Sequence, residues 1–352
     1  MKRSLAIIIA CLCIVLVTRI LPLHAMERAA GTEYFVAPDG DDTNPGTLVA
    51  PFGTVQHCAE IAQAGDTCTL RAGTYREVVR PAASGTASAP ITFRAYPGEV
   101  ATLRGTEVLT GWQPYSGEIY TTALPWSFNV RTPEQNSNDQ IFVDGQMLPE
   151  ARWPNIAYNR VTRVEDRDMA QADDATLADA QHATFFDADL AAIPAGTFDG
   201  AKITFAPGYK IIHTTCDVTQ QTASAVSLAC NPDPGAWGAV SVLGGTFTTP
   251  GPGNYYTLWG TLDALDAPGE WYHAADGTLY LWLPDGGDPN DHLVEARRQP
   301  WLFDLSGREY IVVDGLNFFA GTLLHDEDTH HTTIQNIELR YPWHVQELPP
   351  LY

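Results

Sequence analysis

The chain has 352 residues, of which 42 are acidic and 20 are basic, and its formal net charge at pH 7 is −22. A negative field of this size repels phosphate backbones, which excludes nucleic acid as a partner. It also disfavours anionic polymers of other kinds, unless a local basic groove or a bound Ca²⁺ offsets the charge.

Residues 1–25 predict a secretory signal peptide. Lys2 and Arg3 precede an apolar run over residues 5–17, and Leu23-His24-Ala25 has the pattern of a cleavage site. The run is shorter than the roughly 20 residues that a membrane-spanning helix needs, and an uncleaved anchor is the alternative. We therefore expect a secreted chain, extracellular or periplasmic, that has no membrane contact after cleavage.

The four cysteines outside this leader predict two disulfide bonds. An even number of cysteines in an exported chain favours disulfides over free thiols. We expect Cys58–Cys68 to tie a helix to the first strand of the fold, and Cys216–Cys230 to staple a hairpin. Zinc binding is the alternative, but the cysteines lack the CxxC spacing that it favours.

A short helix followed by a strand is predicted near the start of the mature chain. Residues 50–64 have apolar side chains at helical spacing, Gly65-Asp66 ends the helix, and residues 67–72 predict a strand. This order is typical of the cap of a β-solenoid, because an uncapped solenoid exposes a strand edge.

Strand-like segments then recur every 21 to 23 residues. Leu70-Arg71-Ala72-Gly73 matches Phe93-Arg94-Ala95-Tyr96 at an offset of 23, and Val313-Asp314-Gly315-Leu316 matches Ile334-Gln335-Asn336-Ile337 at an offset of 21. A period of this length predicts the coils of a parallel β-helix. A β-sandwich with coincidental spacing is the alternative.

The block between these two groups of coils has a different pattern. Residues 107–299 contain about ten short strand-like runs with turn signals such as Asp144-Gly145, which is hairpin chemistry. Residues 164–195, rich in Ala and Asp, predict helix or loop. We expect residues 26–106 to form the cap and first coils, 107–299 an inserted β-sandwich, and 300–352 the resumed coils.

Two resemblances support this plan. Residues 34–105 resemble the N-terminal region of secreted right-handed parallel β-helix proteins of the pectate-lyase-like superfamily. The motifs that carry this resemblance are Ala37-Pro38-Asp39-Gly40, Asn44-Pro45-Gly46-Thr47, Pro51-Phe52-Gly53-Thr54, Ala64-Gly65-Asp66-Thr67, Gly73-Thr74-Tyr75-Arg76-Glu77 and Ala95-Tyr96-Pro97-Gly98-Glu99. That superfamily includes polysaccharide lyases and glycoside hydrolases, so the resemblance implies a polysaccharide or oligosaccharide substrate.

The middle block resembles the β-sandwich insertion of some β-helix glycoside hydrolases, such as β-xylosidase-like enzymes. The motifs are Phe142-Val143-Asp144-Gly145, Glu150-Ala151-Arg152-Trp153-Pro154-Asn155, Gly269-Glu270-Trp271-Tyr272 and Leu279-Tyr280-Leu281-Trp282-Leu283-Pro284. This resemblance implies an acidic catalytic pair on later coils. The sequence ends within a predicted coil, so we expect the catalytic pair to lie largely beyond Tyr352. We also expect the chain, expressed alone, to be poorly soluble and inactive.

A cluster of charged residues between two predicted coils supplies the candidate catalytic residues, Asp326, Glu327 and Asp328. Two carboxylates about 5–5.5 Å apart support retaining glycoside hydrolysis, and about 6.5–9.5 Å apart inverting hydrolysis. Asp326 and Asp328 are also oxygen ligands that suit Ca²⁺. A solvated loop is the alternative. The candidate substrate-binding residues are His325, His330, His331, Arg152 and Trp153.

The alternatives to substrate binding are structural. Arg152 and Trp153 would instead be buried at a domain junction, and the acidic run from Asp39 to Asn44 fits turn capping better than a Ca²⁺ loop. We expect a hydrolase rather than a lyase, since the mature chain is rich in acids and has only two lysines. A non-catalytic glycan-binding protein is the rival class. No cofactor is expected, apart from Ca²⁺ for a lyase.

Overall fold

The computed structural model describes residues 31–126, 140–157, 168–207, 214–230 and 249–342, so the predicted signal peptide and the last ten residues lie outside the described part. Within these ranges the protein is mostly β. It has one α-helix, α1 (Val55–Ile61), and short 3₁₀ helices at Ala188–Ala192, Leu262–Ala264 and Pro289–Asp291. None of the described helices has the length and apolar character needed to cross a membrane.

The strands of the described ranges are short, and we number them in chain order. The first eleven are β1 (Glu33–Val36), β2 (Thr67–Leu70), β3 (Gly73–Tyr75), β4 (Ile91–Ala95), β5 (Ala101–Arg104), β6 (Thr106–Val108), β7 (Gln113–Ser116), β8 (Ile119–Ala123), β9 (Ile141–Val143), β10 (Gln146–Leu148) and β11 (Arg152–Trp153). The next ten are β12 (Ala170–Gln171), β13 (Asp174–Leu177), β14 (His182–Phe186), β15 (Lys202–Ala206), β16 (Thr214–Gln221), β17 (Ala225–Ala229), β18 (Tyr255–Trp259), β19 (Glu270–His273), β20 (Thr278–Trp282) and β21 (Val294–Arg297). The last six are β22 (Trp301–Asp304), β23 (Ile311–Asp314), β24 (Asn317–Phe319), β25 (Thr322–Leu324), β26 (Thr333–Gln335) and β27 (Glu338–Arg340).

Strands β1–β5 and β22–β27, which we call the parallel stack, form three parallel sheets. Their orders are β1-β2-β4-β23-β26, β3-β5-β24-β27 and β22-β25. Alternate side chains of the strands point inward, and residues from all three sheets share one hydrophobic core, which includes Leu70, Phe93, Leu103, Phe303 and Phe318. The sheets therefore depend on one another for burial.

The register of the parallel stack confirms one sequence match and corrects another. Val313 lies opposite Ile334, at the predicted offset of 21 residues. Leu70 lies opposite Ala95 rather than Phe93, so the match at an offset of 23 was wrong by two residues. A shift of two leaves every side chain on the same face of the sheet. The hydrophobic pattern therefore could not distinguish the two registers.

Corners with a left-handed backbone repeat along the parallel stack with the same period of 21. We call the successive sets of strands along the stack rows, and the last two rows are β23–β25 and β26–β27. Each of these rows has three corners with φ between 53° and 71°. The pairs are Tyr310 and His331, Gly315 and Asn336, and Ala320 and Tyr341. Glycine and asparagine adopt this conformation readily, whereas the other four residues are held in it by the neighbouring strands. The turns are thus as regular as the strands.

The chain leaves the parallel stack after β5 and returns at β22. Strand β4 pairs directly with β23, and β5 with β24, although more than 200 residues separate the partners in sequence. The intervening strands β6–β21, which we call the antiparallel block, form the sheets β10-β9-β21-β6, β11-β18-β15-β16-β17-β14-β13 with β12 paired to β18, and β19-β20-β8-β7. The exact domain limits and the sandwich arrangement stay predictions.

The segment expected to be helix or loop is partly a hairpin. In the described part of residues 164–195, Asp174–Leu177 pairs with His182–Phe186, and Ala188–Ala192 is a short 3₁₀ helix. Alanine favours a helix, but Phe185 is fully buried in the sheet core. Tertiary packing therefore overrides the local preference.

Both predicted disulfides are present. Cys58 in α1 is bonded to Cys68 in β2, and Cys216 in β16 is bonded to Cys230 just after β17. The helix begins later than residue 50, because the Thr54 hydroxyl accepts a hydrogen bond from the His57 amide and so caps the helix at that point.

A buried ion-pair cluster joins the antiparallel block to the parallel stack. The carboxylate of Glu295 in β21 is fully buried and is bound by the guanidinium groups of Arg76, at 2.6 Å, and Arg104. The Thr106 hydroxyl donates a third hydrogen bond at 2.8 Å. Burial acts to raise the pKa of Glu295, but these donors outweigh it, so the pKa is lowered and the carboxylate is ionised at neutral pH.

Aromatic rings also join the antiparallel block to the parallel stack, and we call these rings and the Glu295 ion-pair cluster the junction. Phe142 of β9 packs on Phe319 of β24 and on Tyr341, with ring centroids 4.7 and 5.2 Å apart. The Arg104 guanidinium lies 4.1 Å from the centroid of the Phe319 ring, a cation–π contact. The junction therefore combines charge pairing with apolar burial.

We expect Glu295→Gln to lower the free energy of unfolding by about 3 kcal/mol, because it leaves two guanidinium groups facing a buried neutral amide. Urea unfolding followed by circular dichroism measures this loss. Arg94→Gln is the control: the Arg94–Glu33 pair is about 40% exposed on both sides, and its loss should cost under about 1 kcal/mol. Equal effects of the two substitutions would contradict the role of Glu295.

The same cluster predicts acid sensitivity. Because the pKa of Glu295 is lower in the folded chain, its contribution is complete above the ordinary glutamate pKa of about 4.3 and is lost as the pH falls through the folded value. Melting curves between pH 7 and pH 3 should therefore fall more steeply for the wild type than for Glu295→Gln. Parallel curves would show that other carboxylates control acid unfolding.

Removal of the Cys58–Cys68 bond by a double alanine substitution should cost about 2–3 kcal/mol, because the bond closes a loop between residues ten apart in sequence. Thermal unfolding with and without a reductant tests this. If the reduced wild type and the double variant melted at different temperatures, the second disulfide would carry part of the effect.

Candidate functional site

The predicted catalytic residues lie in a turn on the parallel stack, residues 325–332, which we call the acidic turn. It follows β25 and lies beside the turn that follows β22. The Gly307 amide donates to Asp326 Oδ1 at 2.9 Å, and the Tyr310 amide donates to the His330 carbonyl at 3.2 Å. Two successive turns are thus joined by hydrogen bonds.

Asp326 organises the acidic turn. Its Oδ1 accepts hydrogen bonds from the Thr329 hydroxyl at 2.7 Å and the Asp328 amide at 3.2 Å, in addition to Gly307. These hydrogen bonds, with that of Thr329 the largest, lower the pKa of Asp326. The carboxylate is therefore ionised at neutral pH and fits the role of a base, a nucleophile or a cation ligand, but not that of a general acid.

Glu327 and Asp328 are exposed in the same turn, and so is His325. The three predicted catalytic carboxylates thus share one turn, as expected from their adjacent positions. Their side chains are presented to solvent, which is compatible both with substrate contact and with a solvated loop.

The two other predicted histidines form part of a ring cluster. His331 stacks on Tyr310, with ring centroids 4.5 Å apart and planes inclined by 13°. His330 lies edge-on to His331 at 6.4 Å. Tyr310 and His331 occupy equivalent left-handed corners of successive rows, which explains why their rings stack. This cluster offers flat ring surfaces at the end of the acidic turn, and the sequence pattern did not single out Tyr310.

A further carboxylate that the sequence pattern did not reveal lies nearby. Asp304 ends β22, opposite Leu324 of β25. It accepts a hydrogen bond from the Ser306 amide and pairs with Arg80 at 3.0 Å. Burial acts to raise the pKa of Asp304, but these contacts lower it overall. Strand β22 and the acidic turn therefore each carry an ionised aspartate. Asp304 lies opposite Leu324 rather than Asp326, so the two aspartates occupy different positions in the register and no repeated motif links them.

Arg152 and Trp153 belong to β11, in the eight-stranded sheet of the antiparallel block. Arg152 is 8% exposed and donates to the carbonyls of Pro154 at 3.0 Å and Asp168 at 2.8 Å. Burial lowers the pKa of Arg152 to about 10, and it raises the pKa of nearby Glu270 to about 8. Arg152 thus clamps backbone from the interior, so we do not place it in the candidate site.

Trp153 is half-buried, and its ring packs on Tyr256 with centroids 5.8 Å apart. Neither β11 residue belongs to the sheets that carry the acidic turn. The predicted substrate-binding residues therefore fall into two groups on separate sheets, and a role of Trp153 in binding stays a prediction.

The aspartates near the start of the described chain are used in turns. Asp41 accepts hydrogen bonds from the amide and the hydroxyl of Thr43, and Asp42 accepts from Gly53 and Thr54. This is the capping role expected for the segment. In the described part of the chain, no group of three or more His, Cys, Asp or Glu side chains is arranged to hold a metal ion. A Ca²⁺ requirement stays a prediction.

Comparisons with known proteins give partial likenesses. No family model matches the chain. A stretch of 84 residues is 43% identical to the uncharacterized protein YwoF of Bacillus subtilis, covering 24% of this chain and 18% of that protein. A stretch of 78 residues is 42% identical to pectate lyase PEL9 of Emericella nidulans, covering 22% of this chain and 19% of that protein.

The fold is similar to that of a solved structure described as a glycoside hydrolase. The TM-score is 0.61 at 19% identity, over 82% of this chain and 50% of the other. The chain thus spans less than a fifth of the length of the curated relatives that it matches, and half of this structure. At this identity the likeness establishes a shared fold, and it does not transfer an activity.

Two substitutions at Asp326 separate its structural role from a chemical one. Asp326→Asn keeps an Oδ1 acceptor and should leave the melting temperature close to that of the wild type. Asp326→Ala removes the acceptor of all three hydrogen bonds and should lower it. Circular dichroism melting curves test both. If the two variants melted alike, Asp326 would not organise the turn.

Proposed function

We propose that this protein is a secreted carbohydrate-active enzyme, a glycoside hydrolase, built on a right-handed parallel β-helix with an inserted β-sandwich. The observation that carries the proposal is the parallel stack, with its 21-residue register and its repeated corners. This regularity is what successive coils of a solenoid require, and solenoids present turn residues along an extended surface suited to a polymer.

Further support comes from the likenesses and from the disulfides. One relative over part of the chain is a pectate lyase, and the structure with the similar fold is a glycoside hydrolase. Both classes act on carbohydrates, which favours a polysaccharide or oligosaccharide substrate. Two disulfides fit an oxidising compartment outside the cytoplasm.

Hydrolysis is favoured over elimination by the carboxyl groups of the acidic turn. Ionised Asp326 fits the nucleophile or the base of a hydrolase, and the general acid must be another carboxyl group, because the pKa of Asp304 is lowered as well. A lyase needs a base and a cation or arginine that neutralises the uronate carboxylate. Arg80 is paired with Asp304, so its charge is already balanced. The pectate lyase relative nevertheless makes polysaccharide lyase the second candidate.

In contrast to the inactivity expected from the sequence, the hydrogen-bonded acidic turn leads us to expect release of reducing ends from a neutral xylan-type polymer, without a product that absorbs in the ultraviolet. Asp326→Asn should lower this turnover at least ~100-fold, the contribution of a positioned acid or base. Asp179→Asn is the matched control, because Asp179 is also an exposed turn aspartate whose pKa is lowered by turn hydrogen bonds. It should retain full activity.

Three results would overturn the proposal in different ways. An unsaturated product from polygalacturonate, formed with added Ca²⁺, would identify a lyase. Full activity of Asp326→Asn would place the catalytic residues elsewhere. Binding without turnover on either polymer would support the non-catalytic glycan-binding class.

A further inference from the structure

A cavity of about 510 Å³ lies in the antiparallel block, away from the strands that carry the acidic turn. Its walls come from two sheets: Lys202 and Trp259 belong to the eight-stranded sheet, and Trp271, Tyr272 and His273 belong to β19 of a four-stranded sheet. The volume falls within the range of about 300–1,000 Å³ that is typical of small-molecule sites. The cavity is large enough to admit a ligand rather than only water.

Three tryptophans, Trp126, Trp259 and Trp271, line the cavity. Trp259 and Trp271 are only 3% and 1% exposed, so the half-buried rings of Trp126 and Tyr272 supply its accessible aromatic surface. Each indole N–H donates to a protein oxygen 2.9 to 3.0 Å away. The acceptors are the Arg297 carbonyl, the Thr204 hydroxyl and the Leu148 carbonyl. Trp126 therefore offers the cavity ring carbons rather than a donor. The negative face of an aromatic ring suits C–H groups of low polarity.

Polar groups lie among these rings. Glu150 is 7% exposed, whereas Asp276 is exposed where the lining reaches the protein surface. Burial, followed by the charge of Glu150, raises the pKa of Tyr272, so its hydroxyl remains a donor at neutral pH. Burial lowers the pKa of His273, which keeps its ring neutral. The cavity thus presents both donors and acceptors beside apolar ring surfaces.

The charges around the cavity select against an ionised ligand. Glu150 and Asp276 both line it and oppose an anion, as does the net charge of −22. The Lys202 ammonium also lines it and opposes a cation, while its own charge is balanced by Asp217 at 2.6 Å. A neutral ligand with many hydroxyl groups fits both constraints, since hydroxyls pair with carboxylates, phenols and ammonium groups alike.

We propose that this cavity binds a neutral pyranose unit of an oligosaccharide. The apolar C–H groups of the sugar ring pack against the rings of Trp126 and Tyr272, and its hydroxyls pair with the Tyr272 hydroxyl and with Asp276. The site is a binding site that requires no bond cleavage. It lies in the antiparallel block, so it stands independently of hydrolysis at the acidic turn.

The test uses the full chain and three probes: xylobiose, cellobiose and digalacturonate. Isothermal titration calorimetry should detect binding of at least one neutral disaccharide, and digalacturonate should bind at least ~10-fold more weakly, a difference of about 1.4 kcal/mol. No binding of either neutral disaccharide would overturn the proposal, and so would equal or tighter binding of digalacturonate.

Two variants locate the binding. Ala275 is exposed and lines the cavity, so Ala275→Trp should obstruct it without disturbing the core and should weaken binding at least ~10-fold. Ala178→Trp is the control, because Ala178 is an exposed alanine in another turn of the same block. Tyr272→Phe keeps the ring and removes the hydroxyl, and it should weaken binding by several-fold.

Unchanged affinity in Ala275→Trp would place the sugar elsewhere. If that variant failed to fold, as judged by its near-ultraviolet circular dichroism, unchanged affinity in Tyr272→Phe would overturn the proposal instead. Asp326→Asn should bind the disaccharide with wild-type affinity. A loss of turnover in that variant with binding intact separates failure at the acidic turn from failure at the cavity.

Discussion

The placement of the antiparallel block on the parallel stack depends on the buried carboxylate of Glu295. A charge without water is costly, so it is tolerated only where charged donors surround it. Those donors, Arg76 and Arg104, come from the parallel stack, while Glu295 comes from the antiparallel block. Neither part satisfies its charges alone. Strand β21 also carries Arg297, which donates to Gln140 at 2.8 Å and to the Pro342 carbonyl at 3.0 Å.

The regular parts of the fold could be predicted from the sequence because they rest on local rules. The 21-residue offset between Val313 and Ile334 and the two disulfides follow from pattern and composition, and all are present. The junction could not be predicted in this way. Glu295 lies 219 residues from Arg76 and 191 residues from Arg104 in sequence, and a pattern that spans one turn or one strand contains no information about such partners.

The candidate site likewise has features that the sequence could predict and features that it could not. Adjacent residues such as Asp326, Glu327 and Asp328 necessarily share a turn, so the sequence located them together. Their roles depend on donors from another row, such as the Gly307 amide, which a local motif does not reveal. Arg152 differs: its motif resembles a sugar contact, yet its buried guanidinium is bound to the backbone carbonyls of Pro154 and Asp168, and a role in binding stays a prediction. The cavity is lined by several segments between residues 124 and 277, so no single sequence motif could predict it.

The junction also bears on how the two candidate surfaces work together. A polysaccharide chain engaged at both the acidic turn and the cavity would gain affinity only if the spacing between them were fixed, because a loose connection lowers the effective concentration of the second contact. The Glu295 cluster and the rings of Phe142 and Phe319 fix that spacing. Glu295→Gln would weaken the connection without altering either surface. At neutral pH it should therefore reduce the avidity for a long polymer more than it reduces the affinity of the cavity for a disaccharide.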